Sequence, residues 1–346
     1  MSRRFPLTPQ QVELLRGRYT AQLKQFLPIA YAHYEAVNSA NVRSAFVSLP
    51  IYSDGIVNLF QVFLDEGRFS PDEQETQALI VLLLSASLYF GMRGLGAESL
   101  RWALALYTRC REHNWVYEAA LVPFLAKAHL ENSAAQTTLR FIETALDTTD
   151  LAAHPQIEAL LYVSLSSALF KVGRYEPAVK FAFQATEILV KRDEPALTVD
   201  AMTQAFSGLM ALGQREEALT AAEVAYNSAL QLGKNDPLRV ASSMVILGLA
   251  LTANEHYDRA VPLYNSGIQF YDAVGDEPNA ARARHMYAIH HLRAGNPDQA
   301  KSFAQTSLLV FERYNMAEEA ANSHVLLNRL TTPTIHPTVD HSQTSG

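Results

Sequence analysis

The 346-residue chain is 49% hydrophobic, enough to bury a large core that ordinary domain sizes would divide into two or three globular domains. Its formal net charge of −7 works against a wide nucleic-acid footprint, which needs a basic face to displace phosphate counterions. A single cysteine, Cys110, excludes an intramolecular disulfide and fits a reducing compartment.

The N-terminal end is locally basic, with Arg3, Arg4, Arg16, Arg18 and Lys24 standing against Glu13 alone. This reads as a solvated helix face or as a docking surface for an acidic partner. Pro6, Gln10, Gln11 and Glu13 follow where a signal peptide would be apolar, so a cytoplasmic chain is expected. Thr8 before Pro9 predicts a helix over 10–24, and Ser70-Pro71 with Glu73 predicts another over 74–90. The apolar run at 78–84, extended to Phe90, is too short to cross a bilayer and predicts a buried helix. Gly91, Gly94 and Gly96 then break the chain before a helix over 98–111. They have the glycines of a phosphate loop without its lysine, so they read as a helix–helix turn. Cys110, between Arg109 and Arg111, reads as a small buried residue or, if exposed, as a thiol of lowered pKa.

Beyond residue 117 the chain repeats. Segments beginning Arg174-Tyr175, Gln214-Arg215, His256-Tyr257 and Asn296-Pro297 align on Ala178, Ala218, Ala260 and Ala300, in steps of 40, 42 and 40. Seven residues after each anchor stand Ala185, Ala225, Gly267 and Ser307, all small. Small residues seven apart share one helix face, two turns apart, and let a neighbouring helix approach closely. Five residues before the anchors stand Gly173, Gly213, Glu255 and Gly295, and glycine permits the positive φ that ends a helix. Asp193-Glu194-Pro195, Asn235-Asp236-Pro237 and Asp276-Glu277-Pro278 are helix start signals. Thr138 with Ala145 and Pro155 marks a fifth, weaker copy, and the segments over 74–90 and 97–111 form a degenerate sixth. The intervening stretches have helical period, so no sheet is expected.

These small–small–aromatic helix pairs, with Tyr175 and Tyr257 after the turn, resemble the tetratricopeptide repeat. The period is longer than that family's 34 residues, and the usual early tryptophan is absent. The resemblance covers roughly residues 117–330 and implies an all-α, right-handed superhelical solenoid of antiparallel helix pairs. Asn58-Leu59-Phe60, Asp65-Glu66-Gly67, Tyr89-Phe90, Arg93-Gly94 and Leu100-Arg101-Trp102 followed by Ala103-Leu104-Ala105-Leu106 are similar to the start of the sensor region in signal-transduction ATPases with helical repeats. No nucleotide-binding motif accompanies them, so this second resemblance implies the sensing arm alone. The expected organisation is an N-terminal helical segment (1–70), a degenerate repeat (71–116), the repeat array (117–330) and a disordered polar tail (331–346).

Chemistry is sparse. His285, His290 and His291 share a helix at spacings that do not stack on one face, His336 and His341 lie in the expected tail, and no metal or cofactor is expected. Glu216-Glu217 opens a helix, where it favours the macrodipole. Trp102 and Trp115 read as core or as binding anchors. If the array follows its family, first helices line a concave face. The polar residues there are Lys127, Ser167 and Lys171; Asp200, Thr203 and Ser207; Ser242; and Arg282, His285 and Arg293. They read as an ordinary wetted surface or as the grip on a protein or peptide, and they do not reproduce the Lys/Asn clamp of chaperone-binding repeats. The sequence thus points to a non-enzymatic scaffold, or else to a regulatory sensor arm signalling to a separate output protein. Neither nucleic acid nor membrane is expected as a partner, and the oligomeric state is left open.

Overall fold

The computed structural model describes residues 8–37, 53–65, 70–86, 90, 95–115, 117–132, 135–148, 151 and 154–331. The expected tail beyond Thr331, the glycines at 91 and 94, and Arg3, Arg4, His336 and His341 lie outside them. Every regular element among the described residues is helical, and the all-α expectation holds. The chain divides into two compact units, one up to Ser243 and one from Met244 onward.

The N-terminal unit opens with α1 (Pro9–Val37). Thr8 caps it reciprocally: Gln11 N donates to Thr8 Oγ1 at 3.3 Å, and Thr8 N donates to Gln11 Oε1 at 2.9 Å. The helix outruns its expected end at Lys24 because its apolar stripe continues through Phe26, Leu27 and the fully buried Ala30. Next come α2 (Ser53–Phe60), a π-helical turn (Gln61–Asp65) and α3 (Glu73–Ser85). The cap of α3 is Asp72, not Ser70. Asp72 Oδ1 accepts from Glu75 N at 2.9 Å, and Glu75 Oε2 accepts from Asp72 N at 3.0 Å. Helix α4 (Gly96–His113) closes this part. Its Trp102 stacks on Phe60 at 4.7 Å and meets Phe90 edge-on at 5.6 Å. Cys110 is fully buried, and burial pushes its thiol up to about 11, which removes the reactive-thiol reading.

Helix pairs follow: α5 (Glu118–Asn132) with α6 (Ala135–Thr148), α7 (Pro155–Lys171) with α8 (Tyr175–Lys191), and α9 (Pro195–Ala211) with α10 (Arg215–Leu232). Helix α11 (Pro237–Ala253) begins in this unit. The C-terminal unit takes the rest of α11, then α12 (Tyr257–Val274), α13 (Glu277–Arg293), α14 (Pro297–Arg313) and α15 (Ala317–Thr331).

The repeat phase is a packing phase. Ala178, Ala185, Ala218, Ala225, Ala260, Ala300 and Ser307 are wholly buried, Gly267 is buried, and Thr138 and Ala145 are buried at the same positions of α6. Their small size brings helices together: Ser166 Oγ of α7 donates to the Ala178 carbonyl of α8 at 2.7 Å. A Cβ added to Gly208 of α9 would lie 2.6 Å from Val179 Cγ2 of α8. The turns within pairs are left-handed at Gly173, Gly213 and Gly295 (φ 76° to 79°), and Glu255 adopts the same conformation at 63°. Asp236 and Asp276 cap α11 and α13 by accepting from Arg239 N and Asn279 N. Glu194 makes no such cap before α9; its carboxylate accepts from Gln156 Nε2 at 3.0 Å.

Candidate partner-binding face

All ten candidate residues stand on first helices of pairs: Lys127 on α5, Ser167 and Lys171 on α7, Asp200, Thr203 and Ser207 on α9, Ser242 on α11, and Arg282, His285 and Arg293 on α13. Spacings such as 200, 203 and 207, or 282, 285 and 293, keep each group on one helix face.

In the N-terminal unit Lys127 and Lys171 are exposed, while Ser167, Asp200, Thr203, Ser207 and Ser242 are half-buried. Several of these side chains bridge neighbouring first helices. Lys171 Nζ donates to the Leu130 carbonyl at 2.8 Å, satisfying one of the open carbonyls at the end of α5. Asp200 receives Arg239 in a bidentate pair, Nη2 at 2.9 Å and Nε at 3.1 Å, and Arg239 also bonds Asp236. Burial opposes the Arg239 charge, but Asp200 and Asp236 outweigh it and hold the guanidinium above its usual range. Ser207 Oγ donates to the Thr203 carbonyl at 3.0 Å, as Ser164 Oγ does to Leu160. These hydroxyls spend their protons inward and keep lone pairs for an outside donor.

The C-terminal unit repeats the pattern. Arg282 reaches Glu319 of α15 through Nη2 at 2.7 Å and Nε at 3.0 Å. Burial raises the Glu319 carboxyl, yet the Arg282 bonds bring it below the ordinary value. His285 Nδ1 lies 2.9 Å from Ser323 Oγ, and Arg293 is exposed.

Sequence reasoning picked one member of each bridge and missed the other: Arg239, Glu319 and Ser323. The missed signal is separation, since bonded partners lie 39, 37 and 38 residues apart, about one repeat.

The remaining candidates are structural. Trp102 is core. Trp115 stacks on His113 at 4.7 Å, under the Arg109 guanidinium at 5.6 Å. Glu216 and Glu217 stand exposed in the first turn of α10. Arg16, part of the basic N-terminal stretch, is spent within the fold, bonding Glu75 at 2.8 Å. No metal-holding group of His, Cys, Asp or Glu forms among the described residues. No helix among them is long and apolar enough to cross a membrane. A recess of about 510 Å³ lies between the turn at Phe63-Leu64, Pro71 and α4, where Arg109 Nε donates to the Pro71 carbonyl at 2.7 Å.

Paired helices packed through small anchors, with left-handed turns one repeat apart, define a tetratricopeptide-like repeat fold. Neither a protein-family model nor a curated protein matches the sequence. Solved structures do. A signal transduction ATPase with numerous domains and a tetratricopeptide repeat sensor, from Pyrococcus horikoshii, matches with TM-score 0.57 at 12% identity, over 84% of this chain and 43% of that one. The chain thus spans less than half of that protein. A Rap protein complexed with competence and sporulation factor matches with TM-score 0.52 at 12% identity, over 91% and 97% of the two chains. The apo quorum sensor NprR from B. thuringiensis matches with TM-score 0.51 at 16% identity, over 93% and 94%.

Proposed function

We propose that this chain is a non-enzymatic module that grips a protein or peptide segment along the first-helix face of its N-terminal unit. One observation carries the reading. Four consecutive first helices present Lys127, Ser167, Thr203 with Ser207, and Ser242 on their polar faces, while the second helices spend their small residues on packing. The Ser207 hydroxyl, whose proton goes to the Thr203 carbonyl, offers an acceptor to a peptide N–H group, and Lys127 offers a donor to a carbonyl or carboxylate. Lys171, Asp200 and Arg239 hold the helices in register beneath such a segment.

A second reading has its own support. Two matched structures are described as sensors, and the Rap structure holds a factor. On this reading the chain is a regulatory arm whose bound peptide or small molecule alters its contact with a separate output protein.

The test places a photo-crosslinking residue at Lys127, Ser167, Thr203 or Ser242 and, as controls, at the exposed second-helix positions Lys180 and Thr220. One product is expected from all four first-helix positions and none from the controls. Products from the controls alone would move the grip to the other face. A small-molecule adduct instead of a protein or peptide one would favour the sensor reading.

A further inference from the structure

Helix α13 carries three histidines inside the C-terminal unit. His290 and His291 are 2% and 7% exposed, and His285 is half-buried. His290 and His291 lie edge to face, ring centres 5.3 Å apart. His290 Nδ1 sits 2.9 Å from Thr252 Oγ1 of α11, and its ring meets Tyr257 and Tyr264 of α12 and Tyr287 of its own helix at 5.4 to 5.7 Å. His291 stacks on Phe303 of α14 at 5.4 Å and 5°, with Tyr287 at 4.3 Å, and its Nδ1 has no partner. His285 bonds Ser323 of α15 and meets Phe311 of α14 edge-on. Among the described residues, the groups that bond or stack on these imidazoles are hydroxyls and rings, and the Glu319 carboxylate of α15 is taken by Arg282, one turn before His285. The charged group at this end of the cluster is Arg293, whose field reaches Tyr264, and it is itself a cation.

We infer that these three histidines form an acid-sensitive latch that loosens α11 to α15 when their imidazoles take up protons. The inference is independent of what the first-helix face binds.

Protonation places positive charge on imidazoles that, among the described residues, bond no carboxylate. Burial lowers the proton affinity of all three histidines, and for His290 the neighbouring His291 lowers it further. The surrounding rings return part of this through cation–π attraction. That return is shared, because two imidazoles 5.3 Å apart repel once both are charged.

The direction of the pH effect follows. In the unfolded chain a histidine protonates near 6.5, and in this unit it does so at lower pH. Between those values the unfolded form binds more protons. Stability is full above about pH 6.5 and falls as pH drops below it. Each histidine held neutral lowers protection by up to about tenfold per pH unit below 6.5. In the N-terminal unit His129 of α5, beside Phe141, is buried with lowered proton affinity too, so some acid response is expected there.

Two measurements on the full chain test the latch. Imidazole proton shifts followed by NMR should place His285, His290 and His291 below 6.5. Hydrogen exchange at pH 7.5 and 5.5, corrected for intrinsic rates, should show amides of residues 244–331 losing about tenfold or more in protection, and those of 154–243 losing less. A chain with His285→Asn, His290→Asn and His291→Phe keeps the hydrogen-bond and stacking shapes without titrating, and should lose this difference. Titration at or above 6.5 would overturn the latch. So would an equal loss of protection in the substituted chain. If that chain does not fold, the wild-type titration and the comparison between the two residue ranges still decide.

Discussion

At position 255 the repeat uses a glutamate where three sister turns use glycine. Gly173, Gly213 and Gly295 adopt φ of 76° to 79° without strain, and Glu255 adopts 63°. An L-residue in that region carries roughly 1–2 kcal/mol of steric cost. Glycine removes that cost but gives back roughly 0.4–1 kcal/mol through a freer unfolded chain. Glu255→Gly should therefore stabilise the protein by about 0.5–1 kcal/mol, seen as a higher urea midpoint at unchanged slope. Gly213→Ala tests the same balance in reverse. Its added Cβ would meet nothing within 4 Å, so a loss of about 1 kcal/mol there would be conformational and not a clash. A glutamate variant that gains nothing would mean the turn is held by interactions other than its backbone preference.

Between elements, the decisive contacts are those outside the repeat phase. Glu75 is 5% exposed and ties α3 to α1, accepting from Arg16 Nη2 at 2.8 Å, Thr20 Oγ1 at 2.7 Å and its own cap residue Asp72. Burial raises the carboxyl, and the Arg16 and Thr20 bonds more than reverse it. Glu75→Gln would turn an amide N–H toward one of these donors. A loss of about 1.5–3 kcal/mol is expected, the range of a hydrogen bond to a charged group. The folded carboxyl sits below its ordinary value, so its contribution is complete above about pH 4.5 and is lost as pH falls through the folded value. Unfolding curves of wild type and Glu75→Gln should converge in acid, and a constant gap would refute the charge argument. The Arg16–Glu75 tie was not legible in sequence. Its partners are 59 residues apart, in a region with no repeat to set a register. The cap of α3 was misplaced by two residues for a related reason: Ser70 and Asp72 both fit a start signal, and the tertiary bond from Arg16 to Glu75 favours the box that contains Glu75. By contrast, the anchors at 178, 218, 260 and 300 were legible because close helix approach tolerates only small side chains at each step. The first-helix bridges were half legible. Polar positions stood out, but complementary residues such as Asp200 and Arg239 are recognised only by comparing charges one repeat apart.

At the scale of the molecule, nearest-neighbour packing governs how the fold is lost. Among the described residues the buried side chains form separate clusters, including one from α1 to α5 around Trp102, one from α5 to α8 around Leu165, a small one of Ala159, Ala185, Leu189 and Ala201, and another around Ala288, Ala304 and Leu326. In such arrays stability is a sum of local units and interfaces, and all-or-none unfolding is not required. Both tryptophans, Trp102 and Trp115, report on the first cluster. Far-ultraviolet circular dichroism instead reports every helix. Urea curves followed by the two signals should therefore separate, with a fluorescence transition narrower than the dichroism transition and at a different midpoint. Trp115→Phe leaves Trp102 as the sole reporter, stacked on Phe60 in the interior of that cluster, and should preserve the separation. Coincident curves in both proteins would show instead that the Trp102 cluster and the repeats beyond it unfold as one cooperative body, because a shared midpoint requires that neither part populate a state without the other.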